Sequence, residues 1–314
     1  MRIRQLILGC MCASALAALA VPAKHGVTHQ LTQPDGTIVN LRLVGDENHH
    51  YYLTTDGLMV IGGEGKYCYA SVDSRGELLN TGMMAHDPAS RSDKEKQLIN
   101  GLNSEKVSTA MLSKAKAMKA AAETGGARSN NQDYKGRIQT NYPTIGQVRT
   151  IVILANYSDV KFSTPNANEY FTRMLNEEGF SENGAKGSCR DYYLAASAGL
   201  FDGSFDVYGP VDLPHERSYY GRNNLWGSDT RPQQMIIDAV SALDDDVDFK
   251  DYDLDGDSYI DNVFVFYAGL SEAHGGGEDT VWPHQASMGT GGRFRVDGIY
   301  VYGYACWAEL VAGG

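Results

Sequence analysis

The sequence predicts an α+β protein in two parts, a small β-rich unit followed by a larger mixed α/β domain. Three observations predict it. Turn chemistry recurs about every ten to fifteen residues between short apolar runs over residues 24 to 90. A proline-free stretch rich in Ala, Lys, Glu, Leu and Met follows, from Ser92 to Glu123. From residue 147 onward, helical and strand-like patterns alternate.

In the front unit, Thr28 to Leu31 leads into the turn Pro34-Asp35-Gly36, and Ile38, Leu41 and Leu43 continue the apolar pattern. Tyr51-Tyr52-Leu53, the turn Asp56-Gly57 and Leu58 to Ile61 read as a hairpin. Lys66 to Val72 and Glu77 to Leu79 read as another, around Asp73-Ser74-Arg75-Gly76. The Ser92–Glu123 stretch reads as helix, with Gly125-Gly126 expected to end it. Residues 124–146 are polar and turn-rich and read as an exposed linker, the kind of segment where proteolysis concentrates. A β unit, a helix and a cuttable linker ahead of a larger domain form the layout of a propeptide. An accessory domain without a regulatory role has the same layout.

In the larger domain, Val148 to Leu154 reads as a buried strand and Thr164-Pro165 as the start of a helix ending at Gly179. Ser188 with Asp191 three residues on is a capping-box pattern opening a second helix, closed by Gly199. Phe205 to Val211 reads as a strand. Arg231-Pro232 opens a helix with the stripe Met235-Ile236, Ala239-Val240 and Leu243. Ile260 to Ala268 is the strongest strand signal.

Residues 1–23 read as an export signal. Arg2 and Arg4 precede an apolar run from Leu6 to Val21, with Ala18-Leu19-Ala20 as a small-x-small cleavage site. The run is shorter than the roughly 20 residues of a spanning helix. The expectation is a protein exported to the periplasm or the medium, with no membrane association after signal cleavage. Beyond the signal only Cys68, Cys189 and Cys306 remain, which excludes a disulfide framework and leaves at most one bridge. Whether Cys189 and Cys306 pair stays open at this point.

The net charge is -12, and nine aspartates fall between Asp244 and Asp261 against the single basic residue Lys250. An acidic surface repels phosphate backbones, so nucleic acid is excluded as a partner. Within this run, Asp253, Asp255, Asp257 and Asp261 occupy positions 1, 3, 5 and 9 of an EF-hand-type loop, with Ile260 at position 8. Hard oxygen ligands at that spacing suit calcium in a structural role. Position 6 is Ser258 rather than glycine, and position 12 is Phe264 rather than glutamate. Starting at Asp251 instead places Gly256 at position 6 and Asn262 at position 12. The alternative to a metal site is a solvated acidic turn.

A catalytic zinc helix needs two histidines one turn apart with a glutamate beside the first. The 314 residues contain no HExxH. His215-Glu216 is followed by Tyr219 where the second histidine belongs, and Pro214 with Gly221 argues against a helix there. His25 and His29 have the spacing without the glutamate. His274, Glu278 and His284 are separated by Gly275-Gly276-Gly277, which denies them a rigid helix. As nucleophiles, Ser197 lacks the first glycine of a nucleophile elbow. Cys189 opens a helix whose macrodipole is expected to lower its pKa.

Three ordered blocks of the larger domain carry a resemblance. The first runs from Ser188-Cys189-Arg190-Asp191-Tyr192-Tyr193 to Phe205-Asp206-Val207-Tyr208-Gly209-Pro210. The second is Tyr252 to Asp257 running into Asp261 to Gly269. The third is Glu272-Ala273, Val281-Trp282-Pro283-His284, Tyr304-Ala305-Cys306 and Glu309-Leu310. Together, over residues 147–314, they resemble the immune inhibitor A type of secreted bacterial zinc metallopeptidases, and residues 24–123 resemble the propeptides of those proteins. The resemblance implies a zincin-like fold, a calcium loop on Asp253, Asp255, Asp257 and Asp261, and endopeptidase action on proteins or peptides. It also places the zinc-binding HExxH helix after the segment matching Tyr304 to Leu310. The chain ends at Gly314, so the expectation is an incomplete zincin-like domain, inactive by itself, with no catalytic residue among those present. The rival expectation is a non-catalytic, calcium-stabilised secreted protein that binds a peptide or protein.

Overall fold

The computed structural model describes residues 22–24, 26–46, 49–63, 66–128, 143–224, 227–288 and 294–311. Residues 1–21, where the export signal is read, and 129–142, most of the expected linker, lie outside them.

Six strands form one meandering antiparallel sheet in the order β1-β2-β3-β4-β5-β6. They are β1 (Thr28–Thr32), β2 (Ile38–Asp46), β3 (His49–Thr54), β4 (Met59–Gly63), β5 (Lys66–Val72) and β6 (Leu78–Met84). The turns expected around Gly36, Gly57 and Gly76 connect them, each glycine at positive φ, which an L side chain adopts only with strain. The buried Gln33 side chain fixes the arrangement. Its Nε2 donates to the carbonyls of Tyr67 and Ala85, and its Oε1 accepts from the Tyr67 N–H.

The stretch read as one helix is two, α1 (Asp93–Gly101) and α2 (Ser104–Arg128). Ser92 and Glu95 form a capping box at the first, and Asn103 accepts from Lys106 N–H at the start of the second. The second runs through Gly125-Gly126, where a stop was expected. A helical glycine costs about 1 kcal/mol, which weakens a helix without forbidding it. The two helices take opposite faces of the sheet: Leu98, Ile99 and Leu102 pack with Val39, Leu41 and Tyr69, while Val107 and Met111 pack with Met59, Ile61 and Leu78.

The larger domain is built on β7 (Gly146–Asn156), β8 (Phe201–Asp212), β9 (Val263–Leu270), β10 (His284–Ser287) and β13 (Gly303–Leu310). Their order is β10-β13-β9-β7-β8, with β8, β7, β9 and β13 parallel and β10 antiparallel at the edge. The hairpin β11 (Phe294–Val296) and β12 (Ile299–Val301) stands apart as a two-stranded sheet. On one face Ile151, Ile153, Val263, Val265 and Tyr267 pack on Met235, Ile236, Ala239 and Val240 of the helix Pro232–Ser241, the stripe read from the sequence.

On the other face the helix Ala167–Asn176 sets Ala167 and Phe171 against Leu154 and Phe266. This helix opens at Asn166 in the left-handed region rather than at Pro165. The helix Cys189–Ala196 begins with the expected capping box, Ser188 Oγ accepting from Asp191 N–H. Contrary to the sequence expectation, a short helix does form beside His215, at Arg217–Gly221. His215 stacks on Tyr219 with ring centroids 3.9 Å apart. The β-rich front unit and the mixed second domain make the protein α+β.

Candidate functional site

The acidic loop leaves a short 3-10 turn, Phe249–Tyr252, and delivers the chain into β9. It folds around its own aspartates. Asp253 accepts from the N–H groups of Asp257 and Ser258, Asp255 from Asp257 N–H, and Asp257 from Tyr259 N–H. The loop is tied to the β11–β12 hairpin, because Ile260 N–H donates to Tyr300 O and Tyr300 N–H to Ser258 O. One carboxylate oxygen each from Asp253, Asp255 and Asp257 lies within 4.8 Å of the others, the only such cluster of three or more acidic, His or Cys groups among the described residues. Asp251 is drawn away to Arg149, 3.6 Å distant, so the geometry uses the register that begins at Asp253. Position 6 of that register, Ser258, adopts φ +70°. The backbone there takes the shape that a glycine would supply at that position.

Asp261 is placed differently from the other three. Its Oδ2 accepts the Leu254 N–H at 2.7 Å, closing the loop, and it is not in the three-carboxylate cluster. Burial first, then the charges of Asp255, Asp253 and Asp257, push its carboxyl up to about 6. Burial is the larger cause and the neighbouring carboxylates add to it; a divalent cation on the loop would favour the ionised form. Phe264, at position 12, lies in β9 and lines the adjoining cleft.

That cleft has a volume of about 680 Å³. Thr150, Val152, Phe205, Phe264 and Phe266 of the sheet line it together with Asp255, Asp257 and Asp261 of the loop. Cys189 and Tyr193 flank it. Burial raises the Cys189 thiol, so desolvation outweighs the helix-terminus effect expected from the sequence, and among the described residues no histidine is hydrogen-bonded to it. Cys306 is buried and pushed up to about 12 by the same cause. Cys68, Cys189 and Cys306 are all free thiols, so Cys189 and Cys306 do not pair. Ser197 caps its helix, with its hydroxyl accepting the Phe201 N–H.

Zinc finds no fitting set among the described residues. His274 Nδ1 is 2.7 Å from Ser271 Oγ. His284 is held at both nitrogens, by Trp282 O at 2.6 Å and the Tyr304 hydroxyl at 2.8 Å. His29 is buried in β1 against the edge of Tyr52, and His25 lies outside the described residues.

One polar cluster has no local signature in the sequence. Glu272 is fully buried; its Oε1 accepts from Asn223 Nδ2 at 2.7 Å and from the Tyr52 hydroxyl at 3.4 Å. His50 of β3 places Nε2 3.3 Å from Glu272 Oε2 and stacks on Trp282, ring centroids 4.2 Å apart. Asp229 accepts the Trp282 N–H, and burial followed by Glu272 raises its carboxyl well above the usual range. These contacts join two parts of the chain that are 220 residues apart.

Comparison with known proteins agrees with the resemblance read from the sequence. Residues 144–298 match the family described as immune inhibitor A peptidase M6, catalytic domain. Immune inhibitor A of Bacillus thuringiensis subsp. alesti is 26% identical over 176 residues, which is 45% of this chain and 26% of that protein. The pre-pro-metalloprotease PrtV of Vibrio cholerae serotype O1 (strain M66-2) is 24% identical over 183 residues, 46% of this chain and 20% of that protein. The chain thus spans about a quarter of the length of the curated relatives it matches. Over residues 144–298 it is similar to the catalytic domain of the immune inhibitor A (M6) peptidase family.

Proposed function

We propose that this protein is an exported zinc metalloendopeptidase precursor acting on protein or peptide substrates. The observation that carries the reading is the family match over residues 144–298, the same segment that holds most of the three ordered blocks. In this reading residues 24–123 are a propeptide. Their separate six-stranded sheet supports that, as does the name of the Vibrio relative, a pre-pro-metalloprotease. The three-carboxylate loop, with Asp261 behind it, takes calcium in a structural role. Its oxygen-only donor set and the mutual repulsion at Asp261 support calcium over zinc.

The catalytic zinc is not held by the described residues, so the purified 314-residue chain is expected to carry no stoichiometric zinc and to cleave no peptide. Metal analysis together with a quenched-peptide assay checks this, and tightly held equimolar zinc with chelator-sensitive cleavage would overturn it. The peptidase role itself is tested in the source organism. Deleting the gene should remove a secreted, chelator-sensitive proteolytic activity, and unchanged secreted proteolysis would sink the role. Limited digestion should cut the chain between residues 124 and 146 if the front unit is a propeptide. Resistance there counts against that part alone.

A further inference from the structure

We propose that Ser163, Thr164 and Gly269 form a carboxylate-binding site at the switch point of the larger sheet. The chain's own Glu309 fills it in this structure, and a small carboxylate ligand can take its place. The inference goes beyond the peptidase reading and does not depend on it.

The topology says where such a site belongs. β7 is followed in sequence by β8, its neighbour on one side, and the chain then returns to β9, its parallel neighbour on the other. The helix Ala167–Asn176 lies on one face of the sheet and Pro232–Ser241 on the opposite face. Where parallel neighbours lead away in opposite directions a crevice opens at their carboxyl ends, and open α/β sheets bind ligands there. β7 ends at Asn156 and β9 at Leu270.

Hydrogen-bond donors gather at those two ends. The segment leaving β7 carries Ser163 and Thr164, and Asn156 Oδ1 shapes it by accepting the Phe162 N–H at 2.8 Å. The end of β9 supplies Gly269. Its φ is +84°, and a Cβ there would come within 3.1 Å of Val160 Cγ1. The left-handed backbone and the close approach of the two segments both favour a residue without a side chain.

Glu309 reaches the crevice from β13, where the pairing with β9 shifts register between Ala308 and Leu310. Such irregularities re-aim a side chain. Glu309 Oε1 accepts from Ser163 N–H at 2.8 Å, Ser163 Oγ at 2.9 Å, Thr164 N–H at 2.7 Å and Thr164 Oγ1 at 2.7 Å. Its Oε2 accepts from Gly269 N–H at 2.9 Å. A carboxylate oxygen offers about two lone-pair sites, so four donors exceed what Oε1 satisfies at once. Convergent backbone N–H groups of this kind make an anion-binding concavity. The occupant sets the ligand class: a planar carboxylate with one oxygen on Ser163 and Thr164 and the other on Gly269. Ser163 is exposed, and Thr164 and Gly269 are partly buried, so a dissolved carboxylate reaches the donors once Glu309 swings out. Exchange of one for the other releases the end of β13 from the Ser163–Thr164 segment.

The test uses the full chain at pH 7.5 with sodium acetate as probe and sodium chloride at equal concentration as reference. Melting and amide exchange by mass spectrometry are read for wild type, Glu309→Ala and Glu309→Gln. A tethered competitor acts at an effective concentration of about millimolar. Acetate should therefore raise the Tm of Glu309→Ala saturably and protect residues 160–164 in it, while wild type half-saturates at a concentration about tenfold higher. Glu309→Gln, whose amide sets an N–H against that of Gly269, should fall between them, and it carries the comparison if the alanine variant does not fold. In wild type, acetate should speed exchange over residues 307–311 as Glu309 is displaced. A response of the variants to acetate no larger than to chloride would overturn the site. So would wild-type exchange over 307–311 still equal to that in chloride at about a hundred times the half-saturating concentration of the folded variant, since Glu309 would then be a fixed brace.

Discussion

Replacing Asp261 with asparagine should stabilise the calcium-free protein at neutral pH. The side chain accepts one backbone N–H, from Leu254, and an asparagine Oδ1 can accept the same bond. What asparagine removes is the charge. The Asp261 carboxyl is pushed up to about 6 in the folded protein by burial and by Asp255, Asp253 and Asp257, against about 3.9 for an exposed aspartate. A folded-state value above the unfolded one means the native protein binds more protons between those limits. Stability from this group is therefore fully present below about pH 4 and is lost as pH rises to 6, after which a constant penalty remains. Two units correspond to about 2.7 kcal/mol. The group is only half-buried, and solvent screening cuts that to about 1 to 1.5 kcal/mol. For a domain of this size the change is a rise in Tm of roughly 3 to 5 °C. Melting in EDTA at pH 4.0, 5.5 and 7.5 reads it. The variant should match wild type at pH 4.0 and exceed it at 7.5, and excess calcium should raise wild type more than the variant. Equal or lower stability of the variant at pH 7.5 in EDTA would refute the claim that ionising Asp261, half-buried among three other carboxylates, costs the folded protein stability.

Three other outcomes follow from single side chains. Trp282→Ala should cost about 3 to 5 kcal/mol, measured by urea unfolding, because the ring is 1% exposed and carries the His50 stack; a cost under 1 kcal/mol would mean the contact with the front sheet is not made in solution. Glu309→Ala should cost about 2 kcal/mol in the same assay, since its Oε1 accepts from the N–H and hydroxyl groups of Ser163 and Thr164 and its Oε2 from Gly269 N–H. Thiol titration of the native protein at pH 8 should leave Cys68 and Cys306 unlabelled until denaturant is added, and prompt labelling of Cys306 would contradict its burial.

How much of this was legible beforehand depends on how far each signal reaches along the chain. The hairpins of the front sheet were readable because a turn such as Pro34-Asp35-Gly36 and its flanking strands share one short window. The capping box at Ser188 and the stripe on Pro232–Ser241 are equally local, and both hold. The readings that shifted were decided by context outside the window. Helix α2 passes Gly125-Gly126, and Cys189 is desolvated by neighbours that the helix-terminus rule does not include.

The aspartate loop shows where a local motif is enough and where it stops. The spacing of Asp253, Asp255 and Asp257 brought three carboxylates together because a tight turn of alternate ligands does so by itself. It could not say that Ser258 would accept a left-handed backbone, nor that Asp261 would turn back to Leu254 N–H. Those follow from the attachment of the loop to Tyr300 on a separate hairpin. The His50–Glu272 contact is the limiting case. Neither residue has an unusual neighbour in sequence, and the contact exists only once the fold brings Asp46 O, Glu272 and Trp282 around one imidazole. A histidine one step before two tyrosines on a β-strand reads as ordinary surface. Its chemistry is set by residues more than 200 positions away, so only the folded protein could disclose it.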